Sequence, residues 1–107
     1  MPKTLTGRMR RARELRDAGL LLVARHGVAS RQGGAPVTEV VLGPFRIWLT
    51  PSGARREMDV WYAGAGAGGA KVLSLWWSGN DVTVAGFRHG AWEQELLALG
   101  GRGASPP

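Results

Sequence analysis

The chain has 107 residues, with fourteen Lys or Arg against eight Asp or Glu, a formal charge of +6 and no cysteine. Such a length fits one small domain, in which roughly 90 ordered residues bury about 60–70% of the unfolded surface around a single core. Disulfides and thiolate metal sites are excluded, a reducing cytoplasm suits the chain, and the longest apolar run, Leu20 to Ala24, is far short of a membrane span.

Charge is concentrated at one end. Residues 1–31 hold eight basic side chains and two acidic ones, Glu14 and Asp17, for +6, whereas residues 32–107 hold six of each. Clustered arginine favours a polyanionic partner, because neutralising phosphates releases condensed counterions. The basic N-terminus followed by LLLVA is not expected to be a targeting signal, since Glu14 and Asp17 interrupt it and the apolar part is short; an organelle transit peptide is the alternative. Twelve Arg against two Lys, with abundant Ala and Gly, fits a small bacterial or phage protein.

In chain order, residues 1–5 are expected to be mobile, and a first helix is expected from Thr6 to Ala18. Leu5, Met9, Ala12 and Leu15 recur at spacings of 4, 3 and 3, an apolar stripe on an otherwise charged helix. Gly19 is placed to stop it. Arg10–Glu14 and Arg13–Asp17 are i,i+4 pairs, which leaves Arg8, Arg11 and Arg16 as the freer charges. Leu20 to Arg25 reads as a buried strand between Gly19 and Gly27, with a continuing helix as the alternative, and residues 27–36 read as a loop. Strands follow at Val37–Leu42, Phe45–Thr50 and Glu57–Ala63, with Gly43-Pro44 a bulge, corner or edge. The Gly-rich stretch 64–69 connects to a hairpin from Lys71 to Phe87, turned at Ser78-Gly79-Asn80-Asp81. A helix from Ala91 to Leu99 places Trp92, Leu96 and Leu99 on one face, and residues 100–107 form a disordered tail.

Short links imply antiparallel neighbours. The expected fold is therefore a single α+β domain over residues 6–99: an antiparallel meander sheet of about four to six strands, flanked by an Arg-rich N-terminal helix and a short C-terminal helix.

Several motifs bear on chemistry. Gly64 to Gly69 satisfies G-x-G-x-x-G after a strand, but a strand-like KVLSLWW follows where a dinucleotide site needs a helix, so no cofactor is expected. Two histidines with scattered acids make no metal spacing. Arg88, His89 and Glu93 form the one arrangement that a metal-independent ribonuclease could use.

The tryptophans are more informative. Regular alternation puts Phe45, Ile47, Leu49, Met58, Val60, Tyr62, Leu73, Leu75 and Trp77 on one sheet face. Trp48, Trp61 and Trp76, with Arg46, Asp59 and Ser74, fall on the other. That second face is either covered, by a helix or by a second subunit, or an exposed aromatic platform for stacking or docking.

These features favour a non-enzymatic binding protein that contacts nucleic acid or a nucleoprotein complex through Arg8, Arg10, Arg11, Arg13, Arg16 and Arg25. Trp48, Trp61, Trp76 and Arg46 supply a possible stacking or interface surface. A protein-binding inhibitor or accessory factor of phage or plasmid type, docking on a larger assembly, is the second expectation. A ribonuclease toxin is the third.

Overall fold

The computed structural model describes residues 2–63 and 69–100, with side chains from Gly7 onward. Of the segments expected to be mobile or disordered, Met1 and residues 101–107 lie outside this description, as does 64–68 of the Gly-rich connection, whereas Pro2–Leu5 open the first helix and Gly100 closes the last.

Helix α1 runs from Pro2 to His26. Ala12, Leu15, Ala18 and Leu22 are buried along it, at spacings of 3, 3 and 4, so the apolar stripe continues past the expected stop. Leu20–Arg25 is thus helix, not strand. Gly19 serves close approach instead of termination: a Cβ there would lie 2.7 Å from Met58 Sδ, which is 0% exposed in the core. The helix ends at Gly27, whose N–H donates to the Val23 carbonyl at 2.9 Å.

Residues 27–36, expected as a loop, instead hold strand β1 (Val28–Gln32) and the start of β2 (Ala35–Leu42). Gly33 and Gly34 join them with φ of 59° and 86°, the left-handed values that a two-residue hairpin turn of this type demands. β1 buries little, and ladder pairing with β2 holds it. Gly43-Pro44, expected as a bulge, corner or edge, is another two-residue hairpin loop, because Leu42 pairs directly with Phe45. The remaining elements are β3 (Phe45–Ser52), β4 (Arg55–Tyr62), β5 (Ala70–Ser78), β6 (Asp81–Phe87) and α2 (Trp92–Gly100).

The strands make one six-stranded antiparallel meander in the order β1-β2-β3-β4-β5-β6. Both helices lie on the same face. Phe45, Ile47, Met58, Val60, Leu73, Leu75 and Trp77 of the sheet form one core with Ala12, Leu15 and Leu22 of α1 and Trp92 and Leu96 of α2; Leu49 and Tyr62 pack against it. The face that alternation marks as apolar is therefore the face the helices cover. α2 lies hard against α1, since a Cβ on Gly100 would sit 2.4 Å from the Ala18 carbonyl oxygen. Tyr62 also ties β4 to α2, its hydroxyl donating to Glu95. That hydrogen bond, then burial, then the carboxylate charge hold the phenol above its ordinary pKa.

Candidate functional site

Two surfaces collect the residues that the sequence singles out: the outer side of α1 and the sheet face turned away from the helices.

On α1 the ion pairing departs from the i,i+4 expectation. Arg11 Nε donates to Glu93 Oε1 at 2.9 Å, and its Nη1 lies 3.2 Å from Glu14. Arg16 Nη2 pairs with Asp17 at 2.9 Å, and its guanidinium sits 5.2 Å over the ring of Trp77. Arg11 and Arg16, expected to be the freer cations, are thus the ones the fold consumes. The reason is rotational: they flank the buried stripe and reach carboxylate and ring partners, whereas Arg10 points outward and Arg13 reaches only main chain at the hairpin turn. Arg8 is exposed, with its guanidinium 5.3 Å over Phe87. Arg13 is exposed and donates to the Asn80 carbonyl at 3.2 Å. Among the described residues, Arg8, Arg10, Arg13 and Arg25 have no carboxylate partner. At 100° per residue Arg10, Arg13 and Arg25 fall within a sector of about 120°, and they extend over roughly 22 Å of helix. Glu14 and Asp17 share that sector, each with a flanking arginine on it.

The second surface is built by register. Across β2 to β5, Glu39 stands opposite Trp48, Trp48 opposite Asp59, and Asp59 opposite Ser74. One pair along, Arg46, Trp61 and Lys71 line up; toward the other end Glu57, Trp76 and Thr83 do so. Trp48, Trp61 and Trp76 are each half-buried, and no described helix covers them.

Every indole has an ion pair beside it. Trp48 Nε1–H donates to Glu39 at 2.8 Å, and Arg46 lies 3.4 Å from the same oxygen. Lys71 Nζ sits 5.2 Å over Trp61 and 3.5 Å from Asp59, which also accepts from the Ser74 hydroxyl at 2.8 Å. Arg55 lies 5.0 Å over Trp76 and 3.7 Å from Glu57. The rings of Trp48 and Trp61 pack at 4.5 Å between centroids, tilted by 60°. Sequence reading found Trp48, Trp61, Trp76 and Arg46 but missed Arg55, Lys71 and Glu39 as their partners. Alternation puts Glu39 and Arg55 on that face, whereas Lys71 has the parity of core residues Leu73 and Leu75 and reaches Trp61 only through the register shift between Val60 and Trp61. A cleft of about 220 Å³ opens beside Trp61, between Val41 and Arg46, smaller than most small-molecule sites.

The Arg88–His89–Glu93 group has a structural explanation. Glu93 accepts from the Gly90 N–H at 3.0 Å, the reciprocal half of a capping box, and His89 Nδ1 lies 3.1 Å away, a contact made by the Nδ1–H tautomer. Burial pushes the Glu93 carboxyl up, but the bonds from Arg11, Gly90 and His89 outweigh it and hold the group below its ordinary value of 4.5. The same contact raises Arg11, chiefly through its hydrogen bond to Glu93. Among the described residues no group of three or more His, Cys, Asp or Glu could hold a metal, and no helix is long and apolar enough to cross a membrane.

No protein-family model matches this chain. No curated protein and no solved structure matches it either.

Proposed function

We propose that this protein is a small non-enzymatic binding protein that contacts nucleic acid, alone or within a nucleoprotein, through the outer side of α1. One observation carries the reading: the helix's acids are satisfied by Arg11 and Arg16, while Arg10, Arg13 and Arg25 stay exposed on one side with no carboxylate partner among the described residues; Arg8, also without one, lies on the other side over Phe87. Three uncompensated guanidinium groups along one side of the rod suit a row of phosphates, which Arg can bind bidentately. Arg11 and Arg16 leave the contact set and become structural residues. Beyond α1 the chain holds seven basic groups against six acidic ones, so attraction to a polyanion orients the molecule with α1 foremost.

The test is fluorescence anisotropy with labelled single-stranded and duplex oligonucleotides across a salt series. Binding is expected to weaken linearly in log–log form, by about 0.7 per phosphate on single strands and about 0.9 on duplex. Arg10→Ala and Arg13→Ala are each expected to make the slope shallower by about one unit. Binding that ignores salt, or slopes unchanged in both variants, would end the proposal. Docking on a protein of a larger assembly is the competing reading, and only a protein partner is retained in a pull-down after nuclease treatment.

A further inference from the structure

The face bearing Trp48, Trp61 and Trp76 is uncovered by either helix, and we infer that it is a self-association surface, closed by the same face of a second copy of this chain. The inference does not depend on the nucleic-acid reading.

Charge selects the occupant. Around the indoles the face carries three ion pairs, Arg46–Glu39, Arg55–Glu57 and Lys71–Asp59, at 3.4, 3.7 and 3.5 Å. A polyanion laid on this face would meet three carboxylates, and a polycation three basic groups. A copy related by a two-fold axis presents the same alternating signs, so cations on one chain can face acids on the other at no net charge cost. The indoles give such a seam its anchors, since Trp and Arg dominate buried interface centres. Val41, 63% exposed beside the Trp61 cleft, adds apolar surface that nothing described covers.

Size agrees. Six strands spaced by about 4.8 Å and some eight residues long give a face of about 700 Å², so two chains bury about 1,400 Å², within the range of stable interfaces. Long-range repulsion agrees as well. Helix α1 carries seven Lys or Arg against Glu14 and Asp17, so sheet-to-sheet packing places the two cationic α1 helices on opposite outer layers, as far apart as the fold allows.

Sedimentation velocity on the full chain tests this, at about 100 μM, roughly a hundredfold above a micromolar dissociation constant. The wild type is expected to sediment as a dimer. Val41→Asp, and independently Arg46→Glu at a side chain 55% exposed, are expected to raise the dissociation constant at least tenfold while circular dichroism keeps the native spectrum. Arg10→Ala, on the outer layer, is expected to remain dimeric. A monomeric wild type overturns the inference, including one whose Trp face is closed by a different protein. So does undiminished dimerisation of folded Arg46→Glu, which stands as the test if Val41→Asp fails to fold.

Discussion

Glu93 is the one buried charged side chain among the described residues, at 7% exposure, and three donors converge on it from α1, the β6–α2 link and the cap of α2. Removing it leaves the Gly90 N–H without its acceptor and the Arg11 guanidinium with Glu14 alone. Glu93→Ala is expected to lower the unfolding free energy by about 2–3 kcal/mol, read by urea denaturation, since hydrogen bonds to charged groups contribute about 1.5–3 kcal/mol each and Arg11 stays partly hydrated. Glu93→Gln keeps an acceptor for the cap and should cost about 1 kcal/mol. The two proteins should also differ with pH. Because the folded carboxyl titrates below its ordinary value of 4.5, its contribution is full above that value and is lost as pH falls through the folded pKa. The stability gap between wild type and Glu93→Gln is therefore expected to be flat above about pH 5.5 and to narrow below 4.5. A gap that widens on acidification would contradict the assignment of Glu93 as an ionised tie.

Glycine carries two opposite meanings in this chain, and that explains most of what the sequence hid at the level of elements. Gly33, Gly43, Gly53 and Gly79 each open a two-residue hairpin loop with positive φ, so four of the five strand connections reduce to one device. The Gly79 turn and the alternation around it were legible from composition. The Gly33 turn was not, because VASRQ looks like loop until β2 pairs with it. Gly19 reads as a helix stop but is a helix interior residue, its missing Cβ explained only by Met58 on a strand far along the chain. Face assignment survived these errors except at the start of β5, where a register shift turns Val72 into the core and Lys71 onto Trp61. Pairing of Arg11 with Glu93 is likewise tertiary and invisible to helix spacing rules.

The close-packing glycines make a paired prediction. At Gly100 a new methyl would meet Ala18 main chain at 2.4–2.7 Å, which cannot yield, so Gly100→Ala is expected to cost about 2 kcal/mol. At Gly19 the obstacle is the Met58 thioether, which can change rotamer, and alanine recovers up to about 1 kcal/mol of helix propensity. Gly19→Ala should fall within about 1 kcal/mol of wild type in thermal melts. Equal losses at both positions would show that Met58 is as immovable as backbone.

For the whole molecule, the two surfaces lie on opposite sides of a two-layer arrangement, helices over an open sheet, so they can act together without competing. A dimer closed through the sheets puts the two α1 helices roughly 30 Å apart, at about 10 Å per layer, facing outward in opposite directions. A strand of about 8 nucleotides can then occupy one helix only, whereas one of about 40 nucleotides can reach both and gains from effective concentration. Val41→Asp is accordingly expected to leave affinity for the short strand within about twofold of wild type. For the long strand it should lower affinity about tenfold or more, with loss of the length dependence that the wild type shows. Arg10→Ala should behave in the opposite way, weakening binding to both lengths, because it removes a phosphate contact and leaves the seam intact. Anisotropy titrations of the two variants against both strands read this directly. Wild-type binding that gains nothing from length would mean that the cationic helices do not act in pairs, since a polyanion spanning two such sites must be held longer than one resting on a single helix.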